Sequence, residues 1–309
     1  MLSYFACTEG KLCQIDEIKK GCWVYMVNPD NEEVDTVCKL TGIEPEYIRA
    51  ALDEEEMGRV ENDDGKTLVL IDGPVALKDD NGSVTYSTFP IGIIFTADYI
   101  ITVSLKENSA LKDIADGRIK SINPVLKSRF FLKMMLALAA RYLQYLKQID
   151  KITVYIESQL NKPTKNREII QLMELSKSLV YFKTSLKSIE MTLNKMEKGR
   201  LIKLYEEDEE LFDDVIIEFR QAREMADIYS SIITVMIDAF ASVVSNNLNL
   251  VMKLLASITI IMSVPTIVSG FYGMNVEGIP LAQSFWFPVG ISAIIIAIVA
   301  LVLGKKKMF

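Results

Sequence analysis

Ten residues toward the C-terminal end recur at alternating intervals of three and four: Asp238, Ser242, Ser245, Asn249, Met252, Ala256, Thr259, Ser263, Thr266 and Gly270. Nearly all are small or polar. The residues between them, among them Leu250, Leu254, Leu255, Ile258, Ile260, Ile261, Val264 and Ile267, are large and apolar. A three-four spacing is the seam along which helices associate with a left-handed supercoil. Inside a membrane such a seam must face another helix or water, because lipid leaves its polar groups unsatisfied. Close packing of small residues is one use for it. A water-filled path for ions is the other, and Asp238 and Asn249 favour that reading, since packing alone gives no reason for either. The seam also runs into a loop that opens Tyr272-Gly273-Met274-Asn275, with Glu277 just beyond. One helix cannot enclose a channel, so a path for ions requires several copies around an axis.

Two acidic groups lie upstream: Asp53–Glu56 with Glu61, Asp63 and Asp64, and Glu206–Glu210 with Asp213 and Asp214. Such runs are either solvated surface or sites for cations. The chain has no histidine, which excludes Ser-His and Cys-His catalysis, His-ligated zinc and His-ligated haem. Cys7, Cys13, Cys22 and Cys38 form no C-x-x-C pair and are expected to be reduced and mostly buried. Any metal handled here is then met by carboxylates, amides, carbonyls and water, which suits a hard cation such as Mg2+. No G-x-x-x-x-G-K-[ST] motif occurs, so pumping by ATP hydrolysis has no support, and no enzyme activity or organic cofactor is expected.

The elements that carry these residues are legible from composition. Residues 254–276 and 278–304 contain no charged side chain, and each exceeds the roughly 20 apolar residues that cross a bilayer core. The net charge is −7; residues 251–309 hold four Lys and one Glu, or +3, leaving −10 on residues 1–250. An acidic surface opposes phosphate attraction and argues against nucleic acid as a partner. Lys305, Lys306 and Lys307 follow the second span, whereas the loop between spans has no Lys or Arg. The positive-inside rule then puts both termini in the cytoplasm and the loop outside, with Phe285, Trp286 and Phe287 anchoring the outer interface. Tyr4-Phe5-Ala6-Cys7 is too short for a signal segment.

Residues 1–120 read as a cytoplasmic α+β domain, a mixed sheet with helices packed on it. Strands are expected at Cys22–Val27, Thr67–Ile71, Val84–Phe89, Ile91–Thr96 and Tyr99–Ser104, with helices around Glu33–Leu40 and Glu46–Leu52. Asp72-Gly73-Pro74, Asp80-Asn81-Gly82 and Pro90 are read as separators. Residues 121–250 read as long helices, divided by turns at Asn161–Thr164 and Lys198-Gly199-Arg200. The last of them has no internal glycine before Gly270 and is expected to run from about 201 to 270, roughly 105 Å at 1.5 Å per residue. A break near Ser245-Asn246-Asn247 is the alternative. Residues 251–271 form the first span, 272–284 the outer loop, 285–304 the second span and 305–309 a basic tail.

Gly273-Met274-Asn275, at the outer end of the first of two C-terminal spans that follows a very long helix and precedes a lysine tail, resembles the CorA family of magnesium channels and transporters. The resemblance covers the whole architecture. It implies a homopentamer in the cell membrane that admits Mg2+, and also cobalt, to the cytoplasm. The first spans would line the pore, where Asn249, Met252, Leu255, Thr266 and Gly270 match the family's pore positions; Asp238, Thr259 and Ser263 join them as members of the stripe. Ser263 is smaller than the methionine a relative carries there. Asn275 would form a ring around hydrated Mg2+ at the outer mouth, Gly273 would allow a sharp backbone turn, and Glu277 would help attract cations. Asp63, Asp64 and Asp214 match acids that bind regulatory Mg2+ between subunits. The rival within the superfamily is a zinc transporter; the rival outside it is a membrane-anchored sensor or scaffold.

Overall fold

The computed structural model describes residues 1–78, 84–120, 122–158, 166–199, 205–274, 281 and 284–306. They divide into two compact units, Met1–Ile237 and Asp238–Phe309. The expected turns at Asn161–Thr164 and Asp80-Asn81-Gly82, and the residues Arg200, Asn275, Glu277 and Lys307, lie outside the described residues.

The first unit contains a seven-stranded mixed sheet: β1 (Leu2–Thr8), β2 (Lys11–Ile15), β3 (Trp23–Val27), β4 (Arg59–Asp63), β5 (Lys66–Lys78), β6 (Val84–Phe95) and β7 (Ile100–Ser104). The spatial order is β2-β1-β3-β7-β6-β5-β4, antiparallel except for β3 beside β7. Side chains alternate between its faces. Val24 and Met26 of β3 join Leu68, Leu70, Ile94, Ile101 and Val103 in a core covered by α1 (Asn31–Thr41) and α2 (Pro45–Ala50). Trp23, one residue out of phase, meets Phe130 of a long helix at 5.3 Å between ring centroids and donates its indole N–H to Thr102 Oγ1 at 2.8 Å. Helix α1 starts where the chain marks it: Asp30 accepts from the Glu33 N–H, and the Glu33 carboxylate accepts from the Asp30 N–H.

Two separators inferred from sequence do not separate anything. β5 runs through Asp72-Gly73-Pro74, and β6 runs through Pro90, which pairs with Asp72. Proline is tolerated because pairing of β6 with β7 begins only at Ile91, so Pro90 has one neighbouring strand and need not donate on its open side. Likewise β4 covers β5 only as far as Leu70. β1, β2 and β4 were not anticipated; Tyr4-Phe5-Ala6-Cys7 lies within β1. The four cysteines are free, but only Cys22 is buried and Cys13 is exposed, which corrects the expectation of mostly buried thiols. The exposure of Cys13 is explained by β2, an edge strand with little covering it.

A short helix, α3 (Ser109–Ala115), precedes three long ones: α4 (Lys127–Ser158), α5 (Asn166–Gly199) and α6 (Glu206–Tyr272). α5 and α6 are linked by the ion pairs Glu190–Arg223 and Lys183–Asp227, each at 2.9 Å, and Phe182 of α5 and Phe219 of α6 both meet the ring of Tyr142 of α4, with centroids 5.1 and 6.4 Å away. α6 is one helix of 67 residues without a break at Ser245-Asn246-Asn247, and α7 (Trp286–Lys305) is the last element. Both α6 and α7 are long and apolar enough to cross a membrane.

Candidate functional site

Over residues 251–272, burial on α6 is concentrated on one face. Ser257 and Val264 are buried, and Ile261, Pro265, Val268 and Tyr272 are half-buried. On α7 the covered positions include Pro288, Ser292, Ile296, Val299 and Leu303, again one helical face. The two faces match, and Tyr272 meets Phe287 with ring centroids 6.3 Å apart. At about 100° per residue, the polar stripe of α6 points some 160° away from this covered face. Asp238, Ser242, Ser245, Asn249, Met252, Ala256, Thr259, Thr266 and Gly270 are exposed, and Ser263 is half-buried. Leu255, also exposed, flanks the stripe. The stripe therefore does not serve the packing of α6 on α7.

Four of its hydroxyls are bonded to the helix that carries them. Ser242 Oγ donates to the Asp238 carbonyl at 2.9 Å, Thr259 Oγ1 to Leu255 at 2.9 Å, Ser263 Oγ to Ile260 at 2.7 Å and Thr266 Oγ1 to Met262 at 3.3 Å. Back-bonding of this kind occupies the hydroxyl proton and leaves the oxygen lone pairs outward. The outward character is then that of an acceptor, which suits a cation and its water shell.

Gly273 does not take a left-handed conformation; its N–H bonds the Ser269 carbonyl at 2.9 Å and the Met274 N–H follows to Phe271 at 3.3 Å. Gly273 follows the last residue of α6, and the chain bends at Met274. An added Cβ there would sit 3.2 Å from the Ser269 oxygen, a tight contact that the oxygen has to relieve by a few tenths of an ångström. At Gly270 a Cβ would meet nothing within 4 Å among the described residues, so none of these requires glycine there. Asn275 and Glu277 lie beyond the described part of this loop.

The expected regulatory acids sit on separate elements of the first unit. Asp63 pairs with Lys66 across the β4–β5 hairpin, and Asp64 and Gly65 form its two-residue turn, with φ of 45° and 76°. Positive φ at both positions is the Asp-Gly hairpin signature, which gives Asp64 a structural role of its own. Tyr47 beside them has its phenol pushed up, first by burial and then by the negative charges of Asp63, Glu44, Glu61 and Asp64. Arg59 pairs with Glu56 and, at 2.7 Å, with Glu61, offsetting part of this acidic group. Asp214 lines a cleft of about 270 Å3 with Arg129, Lys133, Glu207, Glu210 and Leu211. Among the described residues of this single chain, no three carboxylates or thiols are grouped to hold a metal.

One residue had no signal in the sequence. Arg129 Nε donates to Asp208 Oδ1 at 2.7 Å and Nη2 to Glu207 Oε2 at 3.0 Å, across a separation of 79 residues in the first case. Asp208 is almost wholly buried.

Residues 19–306, nearly the whole chain, match the family described as "CorA-like Mg2+ transporter protein". The chain belongs to this family. It is a family of transporters, not enzymes. Among relatives, the cobalt/magnesium transport protein CorA of Methanocaldococcus jannaschii is 27% identical over 303 residues, covering 94% of this chain and 92% of the relative. That of Thermotoga maritima is 29% identical over 174 residues, 55% of this chain and 49% of the relative. The complete structure of the CorA magnesium transporter from Methanocaldococcus jannaschii superposes with a TM-score of 0.81 at 24% identity, covering 98% of this chain and 96% of that one. The cytoplasmic domain of ZntB from Vibrio parahaemolyticus gives 0.60 at 10% identity, covering 78% and 96%. These two likenesses concern the fold. The mixed sheet domain, long helix and two apolar C-terminal helices are the CorA arrangement.

Proposed function

We propose that this CorA-family protein is a homopentameric channel in the cell membrane that carries Mg2+, and with it Co2+, into the cytoplasm. The span of α6, about 251–271, lines the pore, and the span at about 285–304 faces lipid. Residues 272–284 form the outer mouth, and 1–250 and the tail 305–309 lie in the cytoplasm. The observation that carries this reading is the orientation of the stripe: its acceptors point away from α7 on a helix flanked by apolar side chains. Lipid cannot satisfy them, and several copies around an axis give them water.

Mg2+ sheds water reluctantly and favours octahedral oxygen coordination. A ring of Asn275 amide oxygens accepts hydrogen bonds from the hydrated ion without binding it so tightly that it cannot leave. Gly270 and Gly273 keep the approach to that ring free of side chains. Regulation follows from charge: Asp63, Asp64 and Asp214 on facing subunits repel one another unless a divalent cation lies between them.

The test is flux through the purified full-length protein in liposomes, with Mg2+, Co2+ and Zn2+ compared under a fixed gradient. Mg2+ flux that disappears in Asn275→Ala at unchanged assembly is the expected result. Flux of Zn2+ alone would move the assignment to a zinc transporter, and no flux of any cation would leave a tethered sensor or scaffold.

A further inference from the structure

The first turn of α4 is the point where the sheet and the start of α6 are joined. Lys127 Nζ donates to the Thr96 and Ala97 carbonyls, each at 2.7 Å, holding the turn between β6 and β7. Phe130 packs on Trp23 of β3 at 5.3 Å, and Phe131 on Phe95 of β6 at 5.5 Å. Arg129, on the same turn, reaches the other way to Asp208 and Glu207 in the first turn of α6. Four residues within one turn and a half of helix therefore contact β3, β6 and the β6–β7 turn on one side, and the beginning of the helix that enters the membrane on the other.

The Arg129–Asp208 contact is not ordinary surface charge. Asp208 is 3% exposed, its carboxylate takes a hydrogen bond from Nε, and the guanidinium fork spreads to Glu207 on the neighbouring position. Arg129 is itself partly exposed, so the asymmetry matters: removing Arg129 leaves the buried Asp208 carboxylate without its cation, which makes the contact geometrically exacting even where its net contribution to stability is small. A carboxylate in the first turn also meets the positive end of the helix dipole, so α6 itself helps define where Asp208 sits. α6 continues as one helix from Glu206 to Tyr272, with no described break, so the residue pair sits at the start of the same helix that carries the stripe.

We propose that Arg129 is a positioning residue for transport: through Asp208 it fixes the start of α6 to the cytoplasmic sheet, and so transmits the state of that domain to the pore-lining stripe. It touches no ion. In the CorA reading given above, on which this inference rests, cytoplasmic Mg2+ acts on the acids of the cytoplasmic domain and the joint carries that influence onward. Loosening the joint then leaves the ion sites intact but weakens their hold on conduction, since a ligand shifts an equilibrium only through the contacts that differ between its states.

The experiment uses the full-length protein in liposomes, with Asp208→Asn, Arg129→Gln and the charge-preserving Arg129→Lys. Mg2+ flux is measured as Mg2+ on the cytoplasmic face is raised, and amide exchange is followed over 206–214. Asp208→Asn and Arg129→Gln should speed exchange in the first turns of α6 at least tenfold, leave β5 to β7 protected, and move half-inhibition to at least threefold higher Mg2+. Arg129→Lys, which keeps the charge but loses the fork, should fall between parent and Arg129→Gln in both readouts. Flux curves that overlay the parent's despite faster exchange would make the pair an anchor only and overturn the proposal. A parent curve that is itself flat would instead remove the feedback reading; the joint then stands only if basal flux changes at least threefold in Asp208→Asn and Arg129→Gln, and falls if it does not.

Discussion

Asp72 is a carboxylate placed where carboxylates are costly. It lies on β5 and faces the helices; its Oδ2 accepts from Ser185 Oγ at 2.7 Å, that hydroxyl lies 2.9 Å from Thr88 Oγ1, and Tyr142 donates to the Asp72 carbonyl at 2.9 Å. Burial pushes the carboxyl above its ordinary range, and the Ser185 hydrogen bond only partly opposes this. The unfolded chain has the ordinary value, so through the window between the two the folded state holds more protons. Stability is therefore fully present below the ordinary carboxylate range and is lost as pH rises through the raised value. Asp72→Asn removes the charge but keeps an acceptor for Ser185. It should stabilise the soluble portion at pH 7 by on the order of 1 kcal/mol, with the gain vanishing toward pH 4. Thermal unfolding of both proteins across that range is the check, and an Asn variant less stable at neutral pH contradicts the account. A second expectation at this scale concerns Gly273. A methyl group there meets the Ser269 oxygen at 3.2 Å, so Gly273→Ala should displace the residues that follow and cut Mg2+ uptake at least tenfold without loss of assembly. Uptake within twofold of the parent, at matched expression, would mean the close approach is relieved at no functional cost.

At the scale of elements, the two membrane helices offer glycines that the chain itself treats alike. A Cβ at Gly270 or at Gly290 meets nothing within 4 Å among the described residues. They differ in direction: Gly270 ends the polar stripe, whereas Gly290 lies on α7 opposite its covered face. If the stripe encloses a pore, Gly270→Leu should block flux, while Gly290→Leu, pointing into lipid, should leave it within about twofold, since leucine also favours the helix over glycine by roughly 1 kcal/mol. Equal effects at both sites would mean the stripe does not face an axis. The stripe was legible in sequence because its signal is periodicity, which a helix converts directly into direction. The unbroken run of α6 was legible for a related reason, the absence of glycine over its length up to Gly270. β5 and β6 were cut short because Pro90 and Asp72-Gly73-Pro74 punctuate only where a second strand demands their hydrogen bonds, and the extents of β4 and β7 are tertiary facts. Charge alone leaves Asp64 open between solvated surface and cation site, and the family resemblance favours the site, whereas the Asp-Gly pair it forms with Gly65 also spells a hairpin turn. Arg129 was invisible because its partner, Asp208, is 79 residues away.

For the whole molecule, the proposed function gives the acids of the first unit and the stripe of the second a common purpose through an assembly of several copies. Within one chain Asp63 and Asp64 occupy a hairpin and Asp214 a helix facing Arg129 and Lys133, without a metal-binding group among the described residues. Facing copies of so acidic a domain repel, and the net charge of −10 on residues 1–250 sets the scale of that repulsion. A hard divalent ion between carboxylates of neighbouring subunits removes the repulsion and holds them together. Mg2+ in the cytoplasm should then favour the closed assembly, and its depletion should let the domains separate and conduction begin, so that uptake stops when the cell is replete. The sign depends on which state binds the ion more tightly, and the state with the acids close together is that state. Asp214→Asn combined with Asp64→Asn lowers both the repulsion and the affinity, and should raise the Mg2+ needed for half-inhibition at least threefold while conduction persists. Asn at position 64 is compatible with the left-handed turn, so the hairpin survives the change. Current in excised patches, with Mg2+ stepped upward on the cytoplasmic face, reads the midpoint directly. A double variant whose curve superposes on the parent's would reduce these acids to a solvated surface, and the feedback reading would have to be given up even if the pore assignment stood.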